Sequence, residues 1–233
     1  LGLALLVLPV SIRNRIVGGT GVWISSNGGI NFYIGNNPHM EVTLGTRPGV
    51  DWERLTQVPY RNGARNAAEA DRYFWRESFR FLAQRPGQFF RHTVWKARLF
   101  LSGREIPRNL DFYTFQNHSR VLDALGGRWS WGGWPFGVVG PLALLGLALA
   151  WRRSVEQRVT VGFVVVYALS VILFFPAARY RAPLIPFFLV YTALAVEWLV
   201  RRVREPDRRW WWGMAGLGAA VLVVNAPEPA PTD

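Results

Sequence analysis

The sequence predicts a mainly α-helical, polytopic membrane protein. Its transmembrane helices carry an exterior domain of mixed helical and irregular structure. Three observations predict this. Long apolar runs with almost no charge follow one another in the C-terminal part of the chain. Arginine is concentrated in the short loops between those runs. Ahead of them lies a polar region far too long to be a simple loop. Composition agrees, since half of the 233 residues are hydrophobic and the charged share of 18 % falls below the roughly 25 % of a soluble domain.

Taken in order, residues 1–12 are the outer part of a transmembrane helix, 13–132 the exterior domain, 133–225 a four-helix transmembrane region, and 226–233 a flexible tail or linker. The opening run LGLALLVLPVSI makes about 18 Å of helix against a hydrocarbon core of about 30 Å. It has no basic lead and no small-x-small cleavage pattern, which argues against a signal peptide. The expectation is therefore a span whose beginning is missing, in a C-terminal piece of a larger protein. The four later runs are Trp134 to Trp151, Val159 to Ala178, Pro183 to Val200 and the shorter, Gly-rich Trp210 to Val224. A buried helix of a soluble core usually keeps a polar face. These runs have almost none; Glu197 near the end of the third is an exception.

Charge sets the orientation. Arg152, Arg153 and Arg158 separate the first two of these runs, and Arg201, Arg202, Arg204, Arg208 and Arg209 the last two. Short Arg-rich loops stay in the cytoplasm. The net charge of +12 is thus a topology signal, and nucleic-acid binding loses its main support. Residues 13–132, the loop AARYRAP and the tail then face outward.

Within the exterior region, the part through Tyr60 is rich in Gly, Asn, Thr and Pro and is expected to be irregular with short strands. A helix is expected from Asn66, an N-cap with Glu69 three residues on, to the stop at Pro86. Trp75, Phe79 and Leu82 share one face of it. A second helix starts at Pro86 and ends near Gly103, with Phe89, Phe90, Val94, Ala97 and Leu101 as its apolar stripe and Arg91, Lys96 and Arg98 flanking. It suits either the membrane interface, with Arg stems snorkelling, or packing on its own domain.

Other chemistry is thinly signalled. With no Cys, disulfides, thiolate metal sites and Cys nucleophiles are excluded. His39, His92 and His118 have no zinc-type spacing. Gly28, Gly29 and Gly35 are followed by no GK[ST] and make no P-loop. Asn117 heads a glycosylation-type NHS triplet, a weakly specific match.

Four segments in order carry a family resemblance: PVSIRNRIV, SSNGGINFYIGNNP, EADRYFWRESFRFLAQRPGQFFRHTVWKARLFLSGREIPRNLDFY and ARYRAPLIP. Together they resemble the C-terminal half of bacterial glycosyltransferases related to dolichyl-phosphate-mannose protein mannosyltransferases, the GT-C fold that includes aminoarabinose transferases. The resemblance implies a multi-pass enzyme of the bacterial inner membrane with a periplasmic exterior domain. It implies transfer of a sugar from a polyprenyl-phosphate donor on the outer side, with membrane lipid as surroundings and an acceptor the residues do not specify. No cofactor is implied. The family's catalytic carboxylate lies in a first outer loop with no counterpart in these residues.

On that reading Asn27, Asn31, Asn36 and Asn37 offer donors and acceptors for sugar hydroxyls, and Phe32 and Tyr33 offer rings for an apolar sugar face. The plainer reading is a turn whose Asn side chains satisfy its own backbone. Arg179 and Arg181, either side of Tyr180, stand at the outer end of a span, against the positive-inside trend, where guanidinium suits a lipid-linked phosphate. The alternatives are an ordinary lipid phosphate or a carboxylate of the exterior domain. Lys96, the sole lysine, and Glu105 complete the candidates; Glu105 equally suits pairing with an Arg. A non-catalytic, membrane-anchored module that binds a glycan or a partner remains the competing class. Transport or polymerisation is disfavoured, because the spans carry so little charge.

Overall fold

Asparagine and proline punctuate the helices of the computed structural model, which describes residues 2–18, 27–103, 115, 118–125, 128–129, 132–204 and 207–226. The chain is mainly helical. Among the described residues, extended structure is confined to a two-residue antiparallel pair, Arg128–Trp129 with Gly132–Gly133. The helices are α1 (Gly2–Gly18), α2 (Gly28–Gly35), α3 (Met40–Leu44), α4 (Val50–Arg61), α5 (Ala67–Gln84), α6 (Pro86–Leu101) and α7 (Arg120–Leu125). They continue with α8 (Phe136–Ala150), α9 (Val155–Phe174), α10 (Ala178–Arg181), α11 (Ile185–Arg204) and α12 (Arg208–Asn225).

The chain divides into two compact units, residues 1–93 with 173–175, and residues 94–172 with 176–233. In the first unit α2 packs on α5, and the core holds Ile30, Ile34, Met40, Phe74 and Phe81. In the second, α8 packs against α11 and α12. Its core includes Phe100, Ala143, Leu147, Val164, Leu184, Phe188 and Tyr191. A Cβ at Gly146 would run into the backbone carbonyl of Tyr191, so α8 and α11 touch backbone to backbone there. Thr192 Oγ1 ties the same two helices by donating to Val139 O at 3.2 Å. Past the end of α6, Gly103 N–H donates to Val224 O at 2.7 Å, and Asn225 Nδ2 donates to Gly137 O at 2.9 Å.

Two helices among the described residues are long and apolar enough to cross a membrane. They are Val155–Phe174 and the segment Arg179–Val203, which takes in all of α11 but its last residue. Only 17 % and 22 % of their apolar windows are buried, and large side chains such as Val159, Val166, Val190 and Val200 stand exposed. Phe136–Ala150 is apolar but shorter. The fourth run is helical as α12 and opens on Arg208, Arg209 and three tryptophans.

Several helix ends fall where the sequence places them. Asn66 Oδ1 accepts from Glu69 N–H at 2.9 Å, and the Glu69 carboxylate reaches back to Arg65 N–H at 2.8 Å, closing the first turn of α5. Arg85 separates α5 from α6, and α6 begins at Pro86.

Other expectations are corrected. Where described, the region expected to be irregular with short strands holds the helices α2, α3 and α4, joined by irregular turns, and no strand. The buried stripe of α5 is Ala70, Phe74, Ser78 and Phe81, while Phe79 is exposed and Trp75 half-buried. Trp75 and Phe79 are turned instead towards Phe32, with ring centroids 4.8 and 5.8 Å away. On α6 the buried side chains are His92, Lys96, Leu99 and Phe100, so Lys96 is buried while Phe90 and Val94 of the expected apolar stripe are exposed.

Candidate functional site

The candidate residues fall into two groups, one in each unit. In the first unit the Asn-rich segment ends α2. The last carbonyls of a short helix have no partner within it, and side chains supply them here. Asn36 Nδ2 donates to Phe32 O and to Leu173 O, both at 2.8 Å. Asn37 Nδ2 donates to Tyr33 O at 2.7 Å and to Thr43 Oγ1 at 2.8 Å, and Thr43 Oγ1 donates to Ile34 O at 2.7 Å. Asn37 Oδ1 accepts from His39 N–H at 2.8 Å. Both asparagines are buried. Three successive carbonyls of α2 are thus capped by side chains, which is how a helix of eight residues closes.

The glycines of α2 have a matching role. A Cβ at Gly29 would strike the backbone of Asp71, and one at Gly35 the carbonyl of Phe174. Gly29 N–H donates to Asp71 Oδ1 at 2.5 Å. Phe32 stacks on Trp75 and meets Phe174 edge-on at 5.3 Å. Tyr33 is half-buried against Phe74 at 5.2 Å. Burial, then Tyr73 and Glu77, pushes its phenol pKa up, so its hydroxyl stays protonated at neutral pH. Asn27 is exposed and Asn31 half-buried. Asn36 and Asn37 serve the fold, whereas Asn27, Asn31 and Tyr33 keep some access to solvent.

The second group is the turn after α9. Arg181 is buried, donates from Nη1 to Ser102 O at 2.6 Å and Phe100 O at 3.4 Å, and lies 4.3 Å over the Phe136 ring. It therefore closes the carbonyl end of α6, where a cation also complements the helix dipole. Arg179 is exposed, donates to the Tyr180 hydroxyl at 3.1 Å and stands 5.0 Å over that ring. One arginine anchors the turn and the other is presented by it.

Lys96 is completely buried in the same unit, and burial lowers its pKa to about 7. Its amine therefore changes charge near neutrality while enclosed by the fold, with no surface offered to a ligand. Glu105 and Asn117 lie outside the described residues. Among the described residues no three His, Cys, Asp or Glu gather in a way that would hold a metal ion.

The sequence reading missed Asp71, Ser102 and Phe136. Their contacts join positions far apart in the chain, and no local pattern announces them. No family model matches the chain, and neither a curated protein nor a solved structure matches it.

Proposed function

We propose that the protein is part of a multi-pass glycosyltransferase of the bacterial inner membrane. It takes a sugar from a polyprenyl-phosphate donor on the outer face, with residues 13–132 periplasmic and four helices spanning the bilayer. The observation that carries this reading is the division of labour at the Arg179–Arg181 turn. A buried guanidinium fixes the turn through two backbone carbonyls, and an exposed one is held over Tyr180 at the head of an exposed apolar helix. A lipid-linked phosphate places its charge at that depth, and guanidinium offers it a planar pair of donors. The membrane setting is supported by α9 and α11, whose wide bare apolar faces suit lipid better than water.

The roles of the two arginines separate in one experiment. The protein is placed in lipid nanodiscs and titrated with polyprenyl phosphate, binding being read by native mass spectrometry. Arg179→Ala weakens binding about ten- to hundredfold, the size expected for a lost charge-assisted hydrogen bond of about 1.5–3 kcal/mol. Arg179→Lys recovers part of it, because the charge remains and the fork is lost. Arg181→Ala lowers the unfolding temperature, since two carbonyls lose their donor. Unchanged affinity in both Arg179 variants removes this turn from the donor site. A glycan-binding module without catalysis would bind free oligosaccharide instead and leave polyprenyl phosphate untouched.

A further inference from the structure

Helix α6 does not separate polar from apolar side chains as a helix facing water does. His92 and Lys96 are 3 % and 0 % exposed, while Phe90 is 70 % exposed and Val94 44 %. Val94 follows Phe90 by four residues and Arg91 by three, and Arg98 follows Val94 by four, which puts them on one side of the helix, and all four are exposed. Pro86–Leu101 contains no Asp or Glu, and the exposed Arg85 precedes it. An outward side that joins large apolar groups to arginine and lacks acids is complementary to one kind of surface. Aromatic and aliphatic groups enter the boundary between acyl chains and headgroups, and arginine stems lift their charge to the phosphates. Anionic lipid adds attraction for each such cation.

We infer that the side of α6 formed by Phe90, Arg91, Val94 and Arg98 rests in the headgroup region of an anionic phospholipid surface, with the helix lying along the membrane. The inference rests on the membrane reading proposed above. It concerns bulk lipid at α6 and is separate from the donor site.

The test uses the natural absence of cysteine. Single variants Phe90→Cys, Val94→Cys, Asn62→Cys and Val166→Cys are labelled with a nitroxide in nanodiscs. One set of discs is phosphatidylglycerol and phosphatidylethanolamine, the other phosphatidylcholine alone. Accessibility to oxygen, which enters lipid, is compared with accessibility to a water-soluble nickel chelate. Val166 is exposed within α9 and reports whether that helix spans. Asn62, exposed just after α4, reports water. The inference expects labels at 90 and 94 to favour oxygen severalfold over the label at 62, and to do so more strongly in anionic discs. It also expects Arg91→Gln to shift the label at 94 towards the chelate in those discs.

If 90 and 94 match 62 while 166 favours oxygen, the inference fails and the membrane reading stands. If 166 also favours the chelate, the membrane reading fails and takes the inference with it. Labels at 90 and 94 shielded from both probes point to a covering protein and overturn the inference. Identical results in the two lipid compositions overturn its electrostatic part.

Discussion

Lys96 gives the sharpest expectation for a single side chain. In an unfolded chain its ammonium titrates near the ordinary lysine value of about 10.4; burial in the folded protein lowers this to about 7. Between those two values the unfolded chain binds the extra proton, so stability rises with pH across that window. Below pH 7 the group is charged in both states, and the full cost of burying the charge is present. The unfolding temperature of the detergent-solubilised protein is therefore expected to rise from pH 7 to pH 9 relative to a Lys96→Met variant, which replaces the amine with an apolar chain of similar length. Parallel profiles for the two proteins would mean that the Lys96 amine is as well stabilised charged as it is in water.

The pairing of α8 with α11 depends on the missing side chain at Gly146. A Cβ there meets the Tyr191 carbonyl, whereas a Cβ at Gly162 in α9 meets nothing within 4 Å. Gly146→Ala is expected to destabilise by about 1–3 kcal/mol through overpacking. Gly162→Ala is expected to be neutral or to stabilise by up to about 1 kcal/mol through helix propensity. Thermal unfolding of both variants measures the difference, and equal effects would show that the two helices part easily.

Helices were legible in the sequence where their boundaries are local. The Asn66 cap and Pro86 act within a few residues, so the limits of α5 and α6 could be read directly. Helix α2 could not be read. Its glycines disfavour a helix by about 1 kcal/mol each, and the contacts that favour it come from Asp71 and Phe174, far along the chain. Trp75 and Phe79 do share a face of α5, with ring centroids 5.7 Å apart, but what that face meets could not be read, because its partner Phe32 lies far back in the chain. In the candidate site, Arg179 and Arg181 looked alike as sequence. The carbonyls of Phe100 and Ser102 and the ring of Phe136, all distant in sequence, distinguish Arg181.

For the molecule as a whole, the proposed function takes its orientation from the two arginine-rich loops, since in membrane proteins short basic loops set sidedness more strongly than long polar regions do. Reporter fusions at Ser154 and Asp207 are expected to read as cytoplasmic, and fusions at Asn62 and Thr232 as external. A cytoplasmic signal at Asn62 would place the exterior region on the wrong side for a lipid-linked donor at the outer face, and the proposed function would go with it.

The bond from Gly103 N–H to Val224 O also has a meaning in time. A ribosome makes α6 and Gly103 before any of the helices α8 to α12. At about 5–20 residues per second, the acceptor for Gly103 emerges on the order of ten seconds after its donor. Until then the end of α6 lacks the last strap that holds it, and Asn225 has not yet arrived to donate to Gly137 O. Completion of the second unit is thus deferred to the end of synthesis. An interruption in the last helix would leave the end of α6, made long before it, without its closing partner.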